Sequence, residues 1–348
     1  MAAIRPLALA ACLCVPGQCV QACSRLVYAT GAGTYITARG MDWNDPTAKT
    51  ALWIFPRGME RHGGIGPNPI KWTAKYGSII TSFYDAGSSD GMNEKGLAAN
   101  VLYLAEADYG DAATSGKPTL SLGAWAQWFL DNYASVEEAV EDMVDAPFTV
   151  VAPILPNGRA ASMHLSISDA SGDSAIFEYI DGELVVHHGS EYPVMTNSPI
   201  FDQQLALIAY WDLVGGNRFL PDTINAADRF VRLNYLLKST PKFKEPQLAL
   251  AATFSLIRAV GVPLGMADPD HPNISMTLWR TVADHGAETY YFESVLMPTV
   301  IWADLTKIDF KEGSKPRKIA IERGATLAGD VSDKFEPAKP FEWLGEKQ

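Results

Sequence analysis

Cysteine is scarce in this chain of 348 residues, and where it falls matters more than how much there is: Cys12, Cys14 and Cys19 lie near the start, and only Cys23 lies beyond them. One thiol cannot pair with itself, so no disulfide framework is available to the rest of the chain. Positive charge is short as well. With 28 Lys and Arg against 40 Asp and Glu the net charge is −12, which argues against nucleic acid or an anionic membrane surface as a partner. No later segment reaches the unbroken apolar length of a bilayer span, and no internal repeat, low-complexity tract or Ser/Gly linker divides the chain. What is present, 47% hydrophobic and 20% charged residues, is the composition of an ordinary soluble globular protein. Cys23 to Gln348 therefore reads as a single domain.

The first 22 residues read as a signal peptide. Arg5 supplies a positive start, Pro6 to Val15 an apolar stretch too short to span a membrane, and Val20-Gln21-Ala22 a small-residue cleavage site. Cleavage there removes three cysteines and makes Cys23 the N-terminal residue, which predicts a periplasmic or secreted product. An unpaired cysteine in an oxidising compartment is a liability unless it is used. Val20-Gln21-Ala22-Cys23 is also close to a lipobox, and that alternative makes the chain a lipid-anchored periplasmic binding protein. The two readings exclude each other, because acylating the α-amine would remove a base.

Period-two patterns dominate the first third. Arg25 to Ala29 and Thr34 to Arg39, joined at Gly31-Ala32-Gly33, predict a hairpin that places Cys23 at a strand end. Further strands are expected at Ala51 to Phe55, Tyr76 to Phe83 and Leu97 to Leu104. Helical spacing follows over Leu122 to Asn132, and Ser135-Val-Glu-Glu138 opens a second helix. Strands at Met163 to Ser168, Ala175 to Ile180 and Leu184 to His188 precede helices at Phe201 to Leu213, Ala226 to Lys238 and Pro246 to Val260. Strands at Ser275 to Ala283, Glu288 to Ser294 and Thr299 to Leu305 end the pattern. Sheets covered by helices, an α+β class, are the expected architecture.

Cysteine nucleophiles usually borrow a histidine as base. None of the six histidines, His62, His164, His187, His188, His271 and His285, lies in a recognisable cysteine-protease signature. An N-terminal cysteine has no need of one. Its α-amine, with a reference pKa of roughly 7.7–8.0, can take the thiol proton and return it to a leaving amine. Asp42, at the end of the hairpin's second strand, is spaced to return beside Cys23 and orient that amine. Arg39 on the same strand would favour a thiolate.

Cys23-Ser-Arg25, Arg39-Gly-Met-Asp42-Trp43, Met92-Asn-Glu-Lys-Gly-Leu97, Thr196-Asn197-Ser-Pro199 and Arg229-Phe-Val-Arg232 occur in order and at compatible spacing. Together they resemble the choloylglycine hydrolase family of bile salt hydrolases and penicillin V acylases, over essentially the whole chain after the leader. The resemblance implies a four-layer αββα N-terminal-nucleophile (Ntn) hydrolase sandwich, with two antiparallel sheets between helical layers. It implies Cys23 as nucleophile and base, Arg39 and Asp42 beside it, and the Asn197 side-chain amide and the Tyr103 backbone N–H as oxyanion donors. Of the two arginines in Arg229-Phe-Val-Arg232 it assigns Arg232 to the charged cluster and leaves Arg229 outside. No metal or organic cofactor is implied.

A cleavable leader and the 35 positions between Asn197 and Arg232 resemble the Gram-negative branch. A homo-oligomer, tetramer or dimer, is implied, although that segment is shorter than the one Gram-positive members use in tetramer assembly. The expected substrate is a small N-acyl amide. Tyr103 tilts the choice toward a penicillin V-type or fatty-acyl amide, N-acyl-homoserine lactones included, with conjugated bile salts as the alternative. Trp43, Trp53, Trp72 and Trp211 are candidates for the acyl pocket.

Overall fold

The computed structural model describes residues 23–156, 158–215, 219–266, 275–324 and 326–345. The expected leader, Met1 to Ala22, and His271 lie outside the described residues. Two large sheets stack face to face. The first has seven strands in the order Val194–Met195, Ser24–Ala29, Tyr35–Trp43, Met276–Asp284, Thr289–Ser294, Val300–Asp304 and Gly329–Asp330. The second has nine, in the order Glu183–His188, Ser174–Ile180, Met163–Ser168, Ala98–Tyr103, Ser88–Asn93, Ser78–Ser82, Thr50–Phe55, Arg317–Ile321 and Glu336–Pro337. Pairing is antiparallel except where Val300–Asp304 meets Gly329–Asp330. Helices α1 (Trp125–Asn132) and α2 (Val136–Met143) cover the nine-stranded sheet; α4 (Ala226–Ser239) and α5 (Pro246–Arg258) lie on the seven-stranded one, with α3 (Phe201–Val214) against α4. This is the four-layer αββα sandwich.

The strands Ser24–Ala29, Ser78–Ser82 and Ala98–Tyr103 are buried along nearly their whole length, as strands covered on both faces are, whereas Val300–Asp304 buries alternate residues. Trp125 and Phe129 of α1 are fully buried against the strands beneath, each contributing roughly 1.5–3 kcal/mol by area. Gly91 is what lets α1 approach so closely. A Cβ there would stand 2.6 Å from the Ile79 carbonyl and 2.9 Å from Leu130 Cδ1. The turn at Asn93 also finishes α1: Asn93 Oδ1 accepts from the N–H groups of Lys95 and Leu97, while Nδ2 donates to the carbonyls of Leu130 and Tyr133. Ser135 caps α2 through the Glu138 N–H at 3.2 Å.

Between the sheets runs a layer of buried polar groups. Arg25 donates across it to Ser174 Oγ at 2.9 Å and to the Ile167 carbonyl at 3.0 Å; burial without a carboxylate partner lowers its guanidinium to about 9. Thr37 Oγ1 meets both Ser168 Oγ and His285 Nε2 at 2.8 Å, and Tyr290 donates to Asp90. Such bonds are satisfied in only one alignment, so they fix how the sheets lie on each other. That alignment sets the position of the first residue of the first strand, Cys23.

Candidate active site

The hairpin forms as the sequence predicts, with Ser24 opposite Gly40 and Arg25 opposite Arg39. Its second strand runs on to Trp43, which brings Arg39, Met41 and Asp42 around Cys23. The Cys23 side chain is buried, with Sγ 3.7 Å from the Asp42 carbonyl and 3.9 Å from Met41 Sδ. Arg39 Nη2 lies 3.9 Å from Sγ and donates to the Val101 carbonyl of the facing sheet at 2.9 Å. Its guanidinium rests 4.5 Å from the ring centroid of Trp279, a stacking cation–π contact.

Asp42 is buried, and burial raises its carboxyl to about 6 against the pull of Arg229, Thr277, Arg280 and Arg39. Its Oδ1 has no hydrogen-bond partner among the described residues. An unengaged acceptor next to the start of the strand is what an oriented α-amine would need.

Asn197 sits at the far side of Cys23, in the turn leading from Val194–Met195 to α3. Its Nδ2 donates to the Tyr103 carbonyl at 2.6 Å and its Oδ1 accepts from Arg229 Nη2 at 3.1 Å. An amide has two N–H donors; one is engaged by Tyr103, leaving the other for a substrate oxygen. Gln204 of α3 donates to the carbonyls of Asn197 and Pro199, and Glu178 accepts from the Phe201 N–H at 2.9 Å. The turn is thus clamped from two directions. Tyr103 ends the strand Ala98–Tyr103 opposite Met163, so the backbone expected to supply the second oxyanion donor adjoins the Asn197 amide.

The arginine assignment is corrected by the structure. Arg229, expected outside the cluster, is buried within it: Nη1 donates to the Cys23 carbonyl at 2.7 Å and to Ser24 Oγ, and Nη2 to Asn197. Burial lowers its guanidinium, opposed by the charges of Asp42 and Cys23. Arg232, expected inside the cluster, turns instead to Asp222 at 2.7 Å, an ion pair whose carboxylate is largely exposed. The reason is helical phase. Ala226, Phe230 and Leu233 mark the buried face of α4, and Arg229 lies on it. That stripe was in the sequence; the motif match alone had chosen the wrong turn.

None of the described histidines contacts Cys23. A small apolar cavity of about 40 Å³, lined among others by Phe83, Val101, Leu122, Leu155 and Met163, opens beside the strand that carries Val101 and Tyr103. Of the four tryptophans expected around the acyl group, Trp43 packs edge-on against Phe83 at 5.1 Å. Trp53 stacks on Phe55, Trp72 donates to Asp131 in the core at 2.8 Å, and Trp211 packs against Tyr210 and Phe219 on α3. None of the four lines this cavity, and Trp43 reaches it only through Phe83.

The model of the choloylglycine hydrolase family, linear amide C–N hydrolases, matches residues 23–317. The chain belongs to this family. A penicillin V acylase of Pectobacterium atrosepticum is 47% identical over 93% of this chain and 92% of its own length. The solved penicillin V acylase of Agrobacterium tumefaciens is 50% identical, with a TM-score of 0.85 over 92% of this chain and 99% of its own. More distant is a bile salt hydrolase/transferase of Clostridium perfringens, 25% identical over 78% of this chain and 89% of its own length. This choloylglycine hydrolase family member is accordingly a hydrolase of linear amide C–N bonds with a small-molecule amide substrate.

Proposed function

We propose that the protein is a periplasmic or secreted penicillin V acylase-like amidase, activated when removal of Met1 to Ala22 frees the α-amine of Cys23. The convergence of Arg39, Asp42, Asn197 and Arg229 on one buried thiol carries this reading. In the reaction the α-amine takes the Cys23 proton and Sγ attacks the amide carbonyl. The Asn197 Nδ2 and Tyr103 N–H groups hold the oxyanion. The α-ammonium then protonates the departing nitrogen as the C–N bond breaks, and water hydrolyses the thioester to a carboxylic acid, restoring the thiol. Arg229 holds the Cys23 carbonyl and the Asn197 Oδ1, fixing nucleophile and oxyanion donor relative to each other.

The cavity at Phe83, Val101 and Met163 is far below the ~300–1,000 Å³ that encloses a drug-sized ligand. It favours a slim aryloxy or alkyl acyl group over the steroid of a conjugated bile salt. N-acyl-homoserine lactones, with alkyl chains, are the second substrate class on the same observation.

The test joins intact mass to a hydrolysis panel of penicillin V, conjugated bile salts and N-acyl-homoserine lactones. The mature protein is expected to begin at a free Cys23. Cys23→Ala should be inert, and Asn197→Ala should lose on the order of 10²–10³ in turnover. A diacylglyceryl adduct on Cys23, or full activity in Cys23→Ala, would overturn the reading.

A further inference from the structure

On the open edge of the sandwich, away from the acyl cavity, lies a larger cleft of about 500 Å³. Both sheets contribute to it. The strand Met276–Asp284 supplies an apolar wall of Leu278 and the edge of Trp279, extended by Leu296 just beyond Thr289–Ser294, and the strand Arg317–Ile321 supplies Ile321 opposite. At the rim stand Lys49 and Arg323, which have no ion-pair partner among the described residues. Lys318 is a third cation, but it is held by Asp85, which also accepts from the Trp53 indole at 2.8 Å. Glu322 is then the only remaining rim carboxylate. A locally positive cleft on a chain of net charge −12 selects for a ligand of opposite sign.

Two further observations give the cleft a ligand and a consequence. Trp279 is buried, and its indole N–H meets no acceptor among the described residues, which is unusual for a buried indole. The same ring carries the Arg39 guanidinium at 4.5 Å, and Arg39 is the cation beside Cys23 Sγ. An occupant of the cleft therefore rests on the residue that seats Arg39.

We propose that this cleft is a second binding site for an apolar carboxylate, its head group on Lys49 and Arg323 and its apolar body against Leu278, Leu296 and the edge of Trp279. The choice of acid rests on the amidase reading above, since hydrolysis of an N-acyl amide releases an acid of this kind. Bound there, the acid acts on Arg39 through Trp279 and slows turnover without occupying the acyl cavity.

Phenoxyacetate titrated calorimetrically into the Cys23→Ala protein is the direct test, since it needs no turnover. Two equivalents per chain are expected. In Cys23→Ala with Lys49→Gln and Arg323→Gln one equivalent should remain, the other weakened at least tenfold, and neutral phenoxyethanol should fill one site in both proteins. Raising the salt should weaken the rim site selectively. In the enzyme with Cys23 intact, the Lys49→Gln, Arg323→Gln pair should leave turnover without added acid unchanged and convert mixed inhibition by phenoxyacetate into purely competitive inhibition. A single equivalent in Cys23→Ala, or identical titrations with and without the rim cations, overturns the site. Two acid sites in a protein that hydrolyses no amide would overturn the amidase reading and leave this site standing.

Discussion

Arg229 and Arg232 are three positions apart on one helix, yet one is buried against the backbone of Cys23 and the other pairs with an exposed aspartate. Their truncations are expected to differ accordingly. Arg232→Ala removes a pair whose carboxylate is solvent-exposed, worth about 0–1 kcal/mol, and should leave amide hydrolysis near the parent level. Arg229→Ala strips the Cys23 carbonyl, Ser24 and Asn197 of their donor and leaves Asp42 without its foremost counter-charge. Removing one partner of such a buried set costs roughly 3–5 kcal/mol, and turnover should fall at least as far as in Asn197→Ala. Denaturant unfolding and steady-state kinetics on the two variants check both halves. The other site residues were legible for a chemical reason: a cysteine after a leader-like stretch, an arginine and an aspartate on the next strand and an Asn-Ser-Pro turn each fit a step of the acyl transfer proposed above. The choice between two arginines in one motif depends on helical phase, and there the burial stripe Ala226, Phe230, Leu233 carried the information.

At the scale of elements, most helix and strand positions followed from periodicity to within a few residues, because α4 and α5 bury one side and the hairpin strands carry β-branched and aromatic residues. The strand Ser88–Asn93 was not foreseen. Its sequence, Ser-Ser-Asp-Gly-Met-Asn, has no alternation and no β-branched residue, and it is strand only because Ser78–Ser82 and Ala98–Tyr103 flank it on both sides. The strand Arg317–Ile321 also escaped the sequence reading, and it forms one wall of the rim cleft. Where elements meet, α3 holds the catalytic turn: Gln204 donates to the Asn197 and Pro199 carbonyls, and Thr196 Oγ1 donates to the Ala226 carbonyl of α4 at 3.0 Å. Gln204→Leu keeps the volume but leaves those two carbonyls unsatisfied, a cost of about 1–3 kcal/mol. It should lower kcat with little change in KM, since Asn197 is needed when the oxyanion forms. A rise in KM at constant kcat would assign Gln204 to substrate binding instead.

For the whole molecule, the polar layer between the sheets carries a pH signature. His285 is buried between Thr37 and the Gly96 carbonyl, and burial lowers its pKa from 6.5 to about 4. Between those values the unfolded chain binds a proton that the native state refuses. The contribution is therefore complete above pH ~6.5 and lost as pH falls toward 4, by up to about 3 kcal/mol. Asp42, whose pKa is raised, works in the opposite sense, but it is common to parent and variant and cancels in their difference. The stability gap between parent and His285→Gln should thus be widest at neutral pH and narrow toward pH 4 in urea unfolding. A gap independent of pH would show that His285 acts only through its hydrogen bonds. By itself the sequence determined most of the elements, the layered class and the family, because periodicity and motif spacing are properties of neighbours along the chain. Only the tertiary structure decided which arginine completes the cluster, that Trp279 seats Arg39, and that a cationic cleft lies behind it. Those relations join residues from different strands and from both sheets, and burial in one shared interior sets their distances and charges.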